Sequence, residues 1–113
     1  MAKVRKQKFG PGYEFYCPAC GSLHATGDHT FNGDVDAPTF APSIMAAPGQ
    51  VPRGGVCHSY ISSGRIIYAG DCTNGPNGNR PIPFDVELPD LDEVERTLSE
   101  SGQYTKAAEV QSA

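Results

Sequence analysis

The sequence predicts a mainly β fold: small antiparallel sheets around a zinc site made by a cysteine knuckle and a hairpin, with an extended N-terminal arm and one short C-terminal helix. Three observations predict it. Thirteen Gly and ten Pro in 113 residues interrupt the chain too often for long helices over most of it. Short runs rich in Tyr, Phe, Val and Ile alternate with turn residues. Four cysteines include the pair Cys17-Pro18-Ala19-Cys20-Gly21, whose spacing and trailing glycine suit a chelating turn.

Residues 1–12 form a basic arm, with Lys3, Arg5, Lys6 and Lys8 followed by the turn residues Phe9-Gly10-Pro11-Gly12. Residues 13–89 form the zinc-stapled β domain. Tyr13-Glu14-Phe15-Tyr16 reads as a strand that delivers Cys17 and Cys20, and Leu23 to Thr26 and His29 to Phe31 read as further short strands. Asn32-Gly33-Asp34 is turn chemistry. Four prolines between Asp36 and Pro52 limit that stretch to an edge strand or an extended crossing, from which Phe40 and Ile44 plug the core. Val56 to Ala69 predicts a hairpin around Ser63-Gly64, and a last short strand covers Phe84 to Leu88. Residues 90–113 form the helix and tail. Asp90 caps the helix, Glu93 completes a capping-box pattern, and Leu91, Val94 and Leu98 share one face. The helix fades near Ser101-Gly102, and the tail from Gln103 to Ala113 is loose.

The expected metal ligands are Cys17, Cys20, Cys57 and Cys72. With a two-residue hairpin loop, Ser62 pairs with Arg65 and Cys57 with Gly70, so Cys72 lies diagonally on the face of Cys57. A three-residue loop shifts the register by one and makes His58 the alternate ligand. A reducing compartment favours metal over disulfides for these thiols. Hydrophobic residues are 38% of the chain, a thin supply for a core, and a structural zinc ion contributes on the order of 10 kcal/mol or more.

The net charge of −4 and a pI near 5.2 exclude nucleic-acid binding through the whole surface. They leave a local contact through Lys3, Arg5, Lys6 and Lys8, to phosphate or to an acidic neighbour. No stretch is long and apolar enough to span a membrane, and no signal peptide opens the chain. His24 and His29 read as solvent-facing or as outer partners of the metal ligands, and His29→Ala is expected to behave as wild type. His58 carries more weight, because it lies close to Asp71 across the hairpin. No His-Glu-x-x-His, phosphate loop or Gly-x-Ser-x-Gly is present, so the residues point away from an enzyme.

Four motifs then stand in order: Cys17 to Gly21, Phe31 to Ile44, Cys57 to Ile66 and Gly70 to Thr73. Together they resemble a family of small phage and prophage proteins, a domain of unknown function often mislabelled as ammonia monooxygenase. That label does not suit this chain, which lacks the membrane spans and copper ligands such an enzyme needs. The family often ends its last motif in His, where this chain has Asn74. The resemblance implies a phage origin and a place in the virion or host cytoplasm, and no established activity. With the zinc-stapled centre and two arms of opposite charge, the expected role is a phage-encoded structural zinc protein, foremost a capsid decoration or cement component bound to particle subunits or to itself. Two alternatives accompany it: a zinc module that binds nucleic acid or polymerase, and a zinc-dependent enzyme using His58 and Asp71.

Overall fold

Alternating side chains build the first sheet. In the computed structural model, which describes residues 2–46, 51 and 55–101, β1 (Val4–Lys6), β2 (Tyr13–Cys17) and β3 (Ser22–Ala25) pair antiparallel in that order. Phe15 and Cys17 face inward from β2, and Val4 lies opposite Phe15, fully buried. The basic N-terminal stretch is therefore extended and also docked. The Lys3 ammonium donates to Glu87 Oε2 at 3.0 Å and to the Leu88 carbonyl at 2.6 Å. Arg5 pairs with Glu14 and with Glu95, a buried carboxylate on the C-terminal helix.

β4 (Thr30–Phe31) and β5 (Phe40–Ala41) make a two-stranded sheet closed by the Asn32-Gly33-Asp34 turn. Asn32 Oδ1 accepts the amides of Asp34 and Thr39, which takes over part of the backbone pairing. Stacked Phe31 and Phe40, with centroids 4.8 Å apart, meet Tyr13 and join this sheet to the first.

The third sheet runs β6 (Ile44–Met45), β7 (His58–Ser62), β8 (Arg65–Tyr68), β9 (Asp85–Glu87). Its central hairpin has the expected register, Ser62 opposite Arg65. Ser63 and Gly64 both take positive φ, 50° and 80°, the two-residue turn whose twist matches the flanking strands. The ladder stops at Tyr68, and the Cys72 amide turns back to the Ala69 carbonyl at 3.2 Å.

One core serves all three sheets, with Val4, Phe15, Phe40, Ile44, Ile61, Ile66, Tyr68 and Leu88 packed around Cys17 and Cys57. The helix α1 (Leu91–Ser101) begins as expected, with Asp90 Oδ1 accepting the amides of Asp92 at 2.9 Å and Glu93 at 3.2 Å. Leu91 is its buried anchor. The expectations placed on the Leu98 side chain, Gly102, the Gln103–Ala113 tail and Pro48 and Pro52 lie outside the described residues. No helix among the described residues is long and apolar enough to cross a membrane.

Candidate active site and metal centre

Two groups of chemically capable side chains meet at the start of β7, on Cys57 just before it and His58 at its first position. The first lies in the core. β2 delivers Cys17 inward, and Gly21, at φ 68°, turns the chain so that its amide reaches the Cys17 carbonyl at 2.8 Å. The Cys20 amide points at Cys17 Sγ, 3.4 Å away, as expected of a chelating turn. β3 then returns beside β2 and sets His24 opposite Phe15, only 1% exposed. Cys57 enters from the residue before β7. The three sulfurs and a ring nitrogen of His24 all lie within 4.8 Å of one another.

This geometry fits a metal ion. A tetrahedral ion with metal–sulfur bonds of about 2.3 Å has edges of about 3.8 Å, and the Cys17 and Cys57 sulfurs are 3.9 Å apart. His24 Nδ1 lies 3.2 Å from the Leu23 carbonyl, where it must donate, and Nε2 is buried with no hydrogen-bond partner. Electrostatics agree. Hydrogen bonds from Cys20 and Cys57 hold the Cys17 thiol far below its usual range, while the same contacts with Cys17 and Cys20 push Cys57 far above. Burial opposes protonation of His24, yet the adjacent Cys17 and Cys20 sulfurs favour its charged form and raise it to about 9. Three crowded sulfurs cannot all ionise without a cation among them. The Tyr68 hydroxyl, 3.2 Å from Cys17 Sγ, and the Asn74 amide, donating to Cys20 Sγ at 3.2 Å, surround the cluster.

Of the expected ligands, Cys17, Cys20 and Cys57 come together and Cys72 stands apart. Its Sγ donates to the His58 carbonyl at 3.0 Å and accepts the His58 amide at 3.4 Å. The hairpin register is the one that would have brought Cys72 diagonal to Cys57, but that inference extends a ladder that ends at Tyr68. His24, read as solvent-facing or as an outer partner, is the fourth member of the group that could hold an ion. His58, the alternate ligand, projects from the other face of β7 and belongs to the second group.

That group is Ser43, His58 and Asp71. Ser43 Oγ lies 2.7 Å from His58 Nε2, and His58 Nδ1 lies 3.0 Å and 3.2 Å from the two carboxylate oxygens of Asp71. The carboxylate must accept from Nδ1–H, which leaves the Nε2 lone pair to accept the serine proton. A hydroxyl, an imidazole and an orienting acid in this chain of hydrogen bonds can generate a nucleophile. Ser43 sits between Pro42 and β6, and His29 Nε2 contacts its carbonyl at 3.1 Å while His29 Nδ1 accepts the Gly27 amide at 3.0 Å. The sequence reading paired His58 with Asp71 and missed Ser43. The three residues do fall one each in the later motifs, Phe31 to Ile44, Cys57 to Ile66 and Gly70 to Thr73, but nothing in those segments marks Ser43 itself.

Comparison with curated proteins and with solved structures finds no match. A family model described as bacterial ubiquitination-like system serine protease (BubE) matches residues 3–69, more than half of the chain. The match takes in Ser43 and His58 and stops two residues before Asp71. It overturns the resemblance to a phage family, and with it the virion or decoration role and the nucleic-acid module. It also overturns the non-enzymatic reading, and it replaces the alternative of a zinc-dependent enzyme with a serine one. Through this match, the chain belongs to the BubE family of bacterial ubiquitination-like system serine proteases.

Proposed function

We propose that this chain is a serine peptidase acting within a bacterial ubiquitination-like system, with Ser43 as nucleophile, His58 as general base and acid, and Asp71 as the group that orients His58. The observation that carries the reading is the 2.7 Å contact from Ser43 Oγ to His58 Nε2, on an imidazole whose other nitrogen faces Asp71. The family's description supplies the setting.

The chemistry follows from these positions. His58 takes the Ser43 proton as the oxygen attacks a peptide carbonyl carbon, and the same proton passes to the departing amine as the carbon–nitrogen bond breaks. Water then attacks the resulting ester with His58 again as base, which releases the acid and restores Ser43. The Asp71 carboxylate holds the ring and stabilises the imidazolium formed in each step.

Zinc is the ion we assign to Cys17, Cys20, His24 and Cys57, on the strength of three sulfurs and one imidazole at tetrahedral spacing. All four positions are taken by protein, so the ion supplies folding energy and no open position for substrate. Cys57 binds it from one face of the chain while His58, the next residue, serves the reaction from the other.

A fluorophosphonate probe with mass mapping tests the reading. The expected result is a single adduct on Ser43, lost in Ser43→Ala and strongly reduced in His58→Ala, with hydrolysis of protein substrate abolished in both. No adduct, or an adduct on another serine, would end the proposal.

A further inference from the structure

Exposed apolar side chains gather around His58. Among the described residues seven large hydrophobic side chains are open to solvent, and three of them, Met45 (56%), Tyr60 (48%) and Val56 (37%), border this histidine. Met45 lies directly across from His58 in the β6–β7 ladder. The Tyr60 ring centroid is 5.8 Å from that of His58, and Val56 lies two residues before it. The intervening Cys57, Ser59 and Ile61 are buried, so the alternation of β7 turns 56, 58 and 60 to the same outer side. Farther along this face the surface becomes charged, with Arg65 paired to Asp85 and Lys3 to Glu87. The exposed apolar side chains on this side of the sheet thus gather at Met45 and Tyr60 beside His58, with the half-buried Ile67 opposite Tyr60.

A contiguous exposed apolar patch is costly and marks an interaction site when it adjoins one. Met45 adds a flexible, polarizable chain that adapts to varied partners, and Tyr60 a rigid ring with a wet tip. We infer that Met45, Val56 and Tyr60 form a shelf that receives an apolar side chain of the peptide substrate, at a residue flanking the cleaved bond. The inference rests on the peptidase reading and adds its selectivity. The shelf lies beside the nucleophile, so the residue it holds is one whose backbone passes His58.

Cleavage of a mixed peptide library, read by mass spectrometry, tests this with the wild-type chain, Met45→Ser, Tyr60→Ser and the double variant. The wild type should favour Leu, Met or Phe over Ser or Asp by about tenfold or more at one flanking position. The double variant should reduce that ratio to below about threefold, with each single variant in between. The ratio is internal to one preparation, so a lower active fraction does not move it. Cleavage without apolar preference, or a preference unchanged in the double variant, overturns the inference. So does a change of oligomeric state in the variants with selectivity intact, which would make the face a contact between copies. Absence of any Ser43 adduct with fluorophosphonate in the wild type is the separate result that removes the peptidase reading and this inference with it.

Discussion

Replacing Asp71 by Asn keeps the shape of the side chain and removes its charge, and the expected loss can be worked from the geometry. In a buried serine triad this exchange costs about ten-thousand-fold, because the amide imposes the wrong imidazole tautomer and gives no charge to the imidazolium. Here the carboxylate side chain is 59% exposed, so water can hold Nδ1–H and screen the charge. At the 3.0 Å separation, the ion-pair energy is about 1.4 kcal/mol in bulk water and about 5.5 kcal/mol at an effective dielectric of 20. An intermediate value near 3 kcal/mol predicts a fall of about a hundredfold in kcat/KM. The assay is steady-state hydrolysis with Ser43→Ala as the blank, together with the rate of fluorophosphonate labelling. A loss under about threefold in both would show Asp71 to be a surface acid and would refute the assignment of its role.

Other perturbations separate the parts of the site. His24→Ala should lower bound metal well below one ion per chain by elemental analysis, whereas Cys72→Ser, which retains a donor toward the His58 carbonyl, should leave the stoichiometry at one. The opposite pattern would restore the four-cysteine set. Cys17→Ser or chelation removes a contribution on the order of 10 kcal/mol from a domain whose net stability is about 5–15 kcal/mol, so protease resistance and the thermal transition should both be lost. Metal loading at neutral pH should release protons from His24, which is raised to about 9, and from Cys57, which is raised further still. Calorimetry in buffers of different ionisation enthalpy counts them, and a count near zero would contradict those shifts. His29, expected from sequence to be dispensable, contacts the Ser43 carbonyl, so His29→Ala should instead lower kcat by about tenfold with little change in KM, while His29→Gln, able to donate to the same oxygen, should recover part of it.

How far the sequence was legible depended on whether the deciding physics was local. The Ser63-Gly64 turn was readable because two positive φ angles and the alternation on either side select one register. The Asp90 cap was readable for a similar reason, since its carboxylate meets amides two and three residues away. Cys17 and Cys20 announced themselves by spacing. Cys72 lies apart from the other three sulfurs because the ladder that would have placed it beside Cys57 does not continue through Gly70 and Asp71, where the chain turns. His24 was open to inference: it stands four residues after Cys20 on a strand whose partner residue, Phe15, faces the core. Ser43 offered no local signature, because a hydroxyl becomes a nucleophile through its neighbours, and those come from β7 and from the turn after β8.

The two groups of functional side chains are less separate than their faces suggest. Successive residues of a strand point to opposite sides, so fixing Cys57 inward fixes His58 outward, toward Ser43. A slip of one residue in the β6–β7 pairing would exchange them, placing an imidazole in the core and a thiol over the serine. An ion shared with Cys57 would oppose that slip by tying the start of β7 to β2 and β3 through Cys17, Cys20 and His24, while Tyr68 ties β8 to the Cys17 sulfur. Cys72 adds a second hold by bonding both the amide and the carbonyl of His58, next to the Asp71 carboxylate that faces its ring. With 38% hydrophobic residues the chain has little core to spare for holding a strand in register. An ion held by Cys17, Cys20, His24 and Cys57 would do that work beside His58, which is why we read the cluster as the structural support of a serine site and not as a reaction centre of its own.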